Sequence, residues 1–271
     1  MDAEHLKIKL EKEIRGAVEQ FQEREDITCK FGEPSVAYVS VDDVRFDMLF
    51  ARGLNGHPRD IYRPGRTIIL YYLPFAEETV RANEESGAPT EEWIRCHYES
   101  LWLAMAVNQK IREVIVGQGR LISGLSNMVA WDDKHCREDW SFKLSAAIAG
   151  MGEMGPAGSF HMNGKYGGRV GGMITDGMYA DKPERLEGEQ LTKALDEILA
   201  PCLYEGPCSE EMMQACPGNA ITKDGIDKAA CRDYCRNFNE TTPVPEVCGK
   251  CFRFKRSDRW TEQNCLQRQH Q

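Results

Sequence analysis

Two periods of apolar and polar positions divide this chain. Over residues 2–25, Leu6, Leu10, Ile14, Val18 and Phe21 recur every three or four residues among charged neighbours. A single apolar stripe on a polar cylinder predicts an amphipathic helix. Trp93, Leu101, Leu103, Ala106, Ile111 and Val114 predict a second, longer helix over 91–116. A third is expected over 140–149, closed by Gly150, and a fourth over 191–199, ending before Pro201. Between the helices, residues 36–41 read as a short strand. Residues 66–73 hold a continuous apolar run stopped by Pro74, which predicts a buried strand. Residues 168–176 predict another strand, weakened by its glycines. Helices and strands mix without a βαβ rhythm, so the expected class is α+β.

Composition narrows the function. The chain has 271 residues, with 43 acidic and 34 basic side chains and a formal net charge of -9. Such a chain lacks the positive field that general nucleic-acid or anionic-membrane binding needs. No apolar run approaches the ~20 residues of a membrane helix. The polar start, Met1-Asp2-Ala3-Glu4-His5, has no signal-peptide character, so the expected location is the cytoplasm. The 11 cysteines are unevenly spread. Cys29, Cys96 and Cys136 precede Pro201; Cys202, Cys208, Cys216, Cys231, Cys235, Cys248, Cys251 and Cys265 follow it. Clustered thiols in a reducing compartment point to metal rather than disulfides. The shift in composition sets an expected boundary: residues 1–200 as one domain and 201–271 as a small metal-stabilised one.

The spacing of the late thiols favours iron–sulfur chemistry over zinc. Cys216-Pro217, followed by Ala220-Ile221, resembles the tail of a bacterial ferredoxin motif, in which the Cys before Pro ligates the other cluster. With Cys231 and the pair Cys248-x2-Cys251 it completes one [4Fe–4S] set. A second cluster lacks ligands: Ser209, Glu210, Glu211 and Met212 stand where one Cys is needed, and residues 252–256 where another is. Cys202, Cys208, Cys235 and Cys265 are left as spare thiols, with an unconventional second site as the alternative. An all-cysteine zinc site usually uses two Cys-x2-Cys knuckles, and one occurs here.

Ten of the 24 glycines lie between Gly150 and Gly177. They read either as tight turns or as a surface that a flat ligand can approach. Gly150-x-Gly152-x-x-Gly155 matches GxGxxG but follows a helix, so it fails as a dinucleotide fingerprint. His57, Tyr62, Tyr166 and Arg169 are candidate ligand contacts. His57 reads equally as a turn histidine, and Arg169 as the partner of a carboxylate. Arg253, Lys255, Arg256 and Arg259 form a small basic patch that reads as a solvated face.

Over about residues 45–256 the chain resembles the epoxyqueuosine reductase and reductive dehalogenase superfamily of cobalamin-dependent iron–sulfur proteins. The resemblance lies in the segment 56–67, in Trp140-Ser141-Phe142-Lys143 with the following 146–155, in 167–176, and in the Cys216, Cys231 and Cys248–Cys251 positions. It implies a nitroreductase-like, corrinoid-binding-type domain followed by a ferredoxin-like domain. It also implies electron transfer from cluster to cobalamin, with Gly150, Gly152, Gly155, Gly167, Gly168 and Arg169 as cofactor contacts. Where the family places an acidic proton donor before the 140–149 helix, Asp132, Asp133, His135 and Cys136 stand here and read as a solvated loop. The expected function is therefore an iron–sulfur oxidoreductase acting on a small molecule or a redox partner protein. The alternatives are a non-catalytic electron carrier, or a binding protein steadied by its cluster.

Overall fold

The structure, a computed structural model, describes residues 2–124, 131–132, 137–199, 209–238 and 248–254. The fold is α+β. Its centre is an antiparallel sheet of β1 (Ser35–Ser40), β2 (Thr67–Pro74), β3 (Ile122–Gly124) and β8 (Gly168–Thr175), in the order β1-β2-β8-β3. The small strands β4 (Trp131–Asp132) and β5 (Arg137–Glu138) pair with each other, as do β6 (Glu153–Met154) and β7 (Phe160–His161).

Alternation along β2 sends successive side chains to opposite faces. Ile69, Tyr71 and Leu73, with Met173 of β8, meet α1 (Ala3–Gln22) and α5 (Glu91–Val116). Ile68, Leu70 and Tyr72, with Ile174, meet α2 (Val44–Ala51), α6 (Phe142–Ile148) and α7 (Gly188–Leu199). Helices thus cover both faces. That coverage explains an apolar run with no polar alternation in an antiparallel strand.

The apolar stripe of α1 is buried as expected, from Leu6 to Phe21. Asp2 caps it by accepting from the His5 backbone N–H at 2.9 Å. Thr90 caps α5 in the same way, and Ser141 caps α6. Gly150 follows α6 with φ +72°, a left-handed stop. The glycines of β8 let β2 pack closely. A Cβ on Gly171 would overlap the Tyr71 ring and hydroxyl, and one on Gly168 would sit 2.6 Å from the Leu73 carbonyl oxygen.

In two helices the buried side chains among the described residues are polar or sulfur-bearing. In α4 (Glu77–Glu85) the buried residues are Thr79 and Asn83. In α9 (Lys228–Phe238) the buried face is supplied by cysteine. No helix among the described residues is long and apolar enough to cross a membrane.

Candidate sulfur site

The described thiols of the late segment converge from three local structures. Helix α8 (Glu210–Gln214), capped by the Ser209 hydroxyl, leads into Cys216. The Ala220 backbone N–H donates to the Cys216 sulfur at 3.2 Å, as the turn closes through Asn219 at φ +49°. A hairpin of β9 (Ile221–Thr222) and β10 (Gly225–Ile226) then leads to Asp227, which accepts from the Ala230 backbone N–H and starts α9. Cys231 and Cys235, four residues apart, share one face of α9. Tyr234 lies over the Cys216–Gly218 turn, where a Cβ on Gly218 would meet its ring. The turn 248–254 brings Cys248 and Cys251. Cys216 and Cys251 both rest on a small apolar cluster of Met212, Ile221 and Phe254.

These sulfurs sense one another. Burial first, then Cys235 and Cys216, push the Cys248 thiol up to about 11, against the opposing backbone N–H and ammonium of Lys250. Burial, then Cys248 and Cys216, push Cys251 up to about 12, opposed by Lys143. A hydrogen bond with Cys235, then burial, raises Cys231 far above the ordinary thiol, with Cys251 and Cys248 adding to the effect. Cys248, Cys251 and Cys231 therefore stay protonated at neutral pH until something displaces their protons. Cys235, expected to stand apart as a spare thiol, is buried within the same group. The helical repeat places it one turn beyond Cys231, which counting residues between motif positions does not reveal. Cys202, Cys208 and Cys265 lie outside the described residues. Among the described residues, no three His, Cys, Asp or Glu side chains are gathered tightly enough to hold a single metal ion.

The turn 248–254 is docked on the sheet body. Lys250 is 7% exposed, and its ammonium donates to the Asn83 carbonyl, to the Ser86 carbonyl at 2.5 Å and to the Ser86 hydroxyl at 2.7 Å. The Asn83 amide donates to the Cys248 carbonyl at 3.2 Å, while its oxygen accepts from the Thr90 N–H at 3.1 Å. Gly249 sits at φ +72° against the indole of Trp93. Phe252 meets Trp93 edge-on at 6.4 Å, and the Lys143 ammonium lies 5.3 Å from the centre of the Phe252 ring. Lys143 also donates to the Gly158 carbonyl at 2.8 Å. Sequence reasoning named neither Lys250 nor Asn83. A lysine between two thiols is the one signal that was available for them.

In the glycine segment the protein's own atoms fill most of the places a Cβ would take. The turn between β6 and β7, Pro156–Gly158, passes through Ala157 at φ +62°. The space that a Cβ would take at Gly152 is filled by Phe160 and the His161 carbonyl. At Gly155 it is filled by Ser159 and His161, at Gly167 by Val80 and Trp93, and at Gly168 by Tyr72 and the Leu73 carbonyl. At these four glycines the protein's own atoms occupy the place a side chain would take. Gly150 alone of the five glycines among the expected contacts has open space where a Cβ would stand, and its φ already accounts for the glycine. The Arg169 guanidinium turns to neutral oxygens, donating to the Ser100 hydroxyl at 2.8 Å and the His97 carbonyl at 2.9 Å. Burial, then Arg169 and Lys143, hold the His97 pKa well below the usual imidazole value, so the ring is neutral.

The remaining candidates separate. His57 caps the short helix α3 (Pro58–Ile61) and pairs with Asp47 at 3.0 Å, the turn role. Tyr62 is part-buried near Asp176. Tyr166 lies near the sulfurs: burial, and then a hydrogen bond to the Glu84 carboxylate, raise its pKa, with Arg253 and Cys251 also in range. Asp132 lies in β4, and Asp133, His135 and Cys136 lie outside the described residues, as do Lys255, Arg256 and Arg259.

No protein-family model matches the chain, and no curated protein matches it. Among solved structures, it is similar to epoxyqueuosine reductase from Streptococcus thermophilus at 15% identity and a TM-score of 0.46. The alignment covers 92% of this chain and 66% of that one. Similarity at that level leaves function to the residues themselves.

Proposed function

We propose that this protein is an iron–sulfur oxidoreductase, with one [4Fe–4S] cluster ligated by Cys216, Cys231, Cys248 and Cys251. In this reading residues 1–200 form a nitroreductase-like domain and 201–271 a ferredoxin-like one. The observation that supports it is the packing of Cys216 and Cys251, from separate turns, on one apolar cluster, with Cys231, Cys235 and Cys248 in electrostatic range of them or of one another. A cubane takes one thiolate on each iron, so its ligands need to be neighbours without all touching a single ion. The Ala220 N–H on the Cys216 sulfur and the Lys250 N–H on Cys248 are donors of the kind that tune such a centre. When bound, the cluster supplies one-electron transfer. The chain's own residues would orient the thiolates, limit water and present cations. Lys143 lies in electrostatic range of Cys251, and Lys250 in range of Cys248.

Positions that a second cluster would use have packing tasks. Ser209 caps α8, Met212 is fully buried, Phe252 meets Trp93 and Phe254 is buried. This favours a single cluster. The filled glycine segment does not fit the expected corrinoid contacts, so no reaction step is assigned to cobalamin. The same observation favours a second reading, an electron-transfer protein that passes electrons to a partner and holds no corrinoid.

Anaerobic purification with iron and sulfide analysis tests the first proposal. The expected result is four iron and four sulfide per chain by the cluster's composition, with a visible absorbance that dithionite bleaches. Colourless protein, or zinc in place of iron, would overturn it. Titration with cob(II)alamin separates the two readings, because a base-off spectrum at micromolar protein would favour the corrinoid enzyme.

A further inference from the structure

We propose that the Cys248–Cys251 arm is held in ligating geometry by the sheet body, with Lys250 and Asn83 as positioning residues for the cluster. The inference rests on the iron–sulfur reading for its ligand and on hydrogen bonds and packing for its mechanism.

A lysine ammonium carries three donors and no acceptor. Burying it is unfavourable unless those donors are met. Here they are met by oxygens at the C-terminal end of α4, from residues Asn83 and Ser86. The end of a helix leaves carbonyls without internal partners and carries the negative end of its dipole. The last turn of α4 has no basic residue of its own. It ends in Asn83-Glu84-Glu85, acidic side chains at the unfavourable pole. Lys250, 167 positions beyond Asn83, supplies the missing cation.

Asn83 completes the clasp from the other side. Its amide donates to the Cys248 carbonyl while its oxygen ties down the start of α5 at Thr90. Gly249 and Phe252 press on Trp93, which is itself fully buried at the first turn of α5. Of the two residues between Cys248 and Cys251, then, one contacts α5 and the other α4. The thiol segment has little to hold this arm by itself, since its apolar cluster has three buried members among the described residues.

The test uses the full chain with Lys250→Met, Asn83→Ala and, as a charge-matched control at an exposed turn, Lys223→Met. Two measurements are made: iron release to a chelator from anaerobically reconstituted protein, and amide hydrogen exchange over 248–254. Loss of a group that orients metal ligands typically weakens metal binding about 10- to 100-fold. Lys250→Met and Asn83→Ala should therefore release iron about 10- to 100-fold faster. Both should lose exchange protection in 248–254 while α1 and the centre of α5 stay protected, and Lys223→Met should match the unsubstituted protein. Wild-type iron retention and wild-type protection in both variants would overturn the proposal. If Lys250→Met does not fold, Asn83→Ala, which keeps the lysine, decides alone. If the unsubstituted protein takes up no iron, the iron–sulfur reading falls, and exchange still decides the docking. Protection of 248–254 that Asn83→Ala abolishes upholds the clasp, and protection it leaves intact refutes it.

Discussion

Gly171→Ala tests whether the glycines of β8 exist for packing or for a ligand. Gly171 lies opposite Tyr71 in the β2–β8 register. A Cβ there would overlap the Tyr71 hydroxyl and ring, in a sheet interior where Tyr71 is 1% exposed. The ring cannot retreat freely, because its hydroxyl donates to Asn108 Oδ1 at 3.0 Å and approaches the Ala104 carbonyl at 3.3 Å, both on α5. Overpacking of a well-filled core costs about 1–3 kcal/mol. Alanine recovers about 0.5–1 kcal/mol of that by reducing backbone freedom in the unfolded chain. Taking the middle of each range, the net expectation is a loss of about 1 kcal/mol, or roughly 2–4 °C in Tm for a chain of this size. Tyr71→Phe removes the overlapping oxygen. Alone it should destabilise by about 1–2 kcal/mol through the lost hydrogen bond. Combined with Gly171→Ala it should be less harmful than the sum, with a coupling of at least about 0.5 kcal/mol. Thermal or urea unfolding of the four proteins gives the cycle. Unchanged stability in Gly171→Ala, or strict additivity, would refute the packing account.

Three further outcomes follow from the geometry. Alanine at Cys216, Cys231, Cys248 or Cys251 should abolish bound iron, measured by metal analysis after anaerobic reconstitution, while Cys235→Ala retains it; the reverse result for Cys231 and Cys235 would exchange their roles on α9. The Cys248 and Cys251 thiols are raised from 9 to about 11 and about 12, so the metal-free fold binds more protons than the unfolded chain above pH 9. Its stability should therefore fall as pH climbs from 9 through about 12, seen in Tm against pH, whereas the rate of iron loading should rise with pH because thiolates are the ligands. Glu99→Gln should lower stability by about 1–3 kcal/mol, since the buried carboxylate accepts from the backbone N–H groups of Thr28 and Cys29 and from the Thr28 hydroxyl; Tm measures it.

Much of the sheet body was legible because its signals are local. The stripe from Leu6 to Phe21, the apolar run over β2 and the 91–116 periodicity each report burial directly, and the helices and strand form where they say. Helix α4 was not legible, because its inward face carries Thr79 and Asn83, whose burial is satisfied by hydrogen bonds to Glu92, Cys248 and Thr90. The glycine segment is ambiguous for a related reason. A glycine signals that something approaches the backbone closely, without saying whether that is a ligand or, as at Gly155 and Gly168, the protein's own Ser159, His161 and Tyr72. The expected quartet of ligands is a grouping by motif spacing alone. The place of Cys235 among them follows from one turn of α9 beyond Cys231, whereas the partners of Lys250 lie more than 160 residues away and leave no trace in local pattern.

The docked turn changes what the late segment must accomplish by itself. Among the described residues, Met212, Ile221 and Phe254 are few to order a segment that also carries α8, the β9–β10 hairpin and α9. Part of the missing stabilisation lies in contacts with the sheet body, through Lys250 to α4 and Phe252 to Trp93. The rest would come from metal, since a structural centre contributes its binding energy to folding when its site is absent from the unfolded chain. These two sources act on the same seven residues, 248–254. Binding at the sulfurs should tighten the Lys250 clasp, and the clasp should in turn slow metal loss, by the reciprocity that links any two equilibria sharing one folded state.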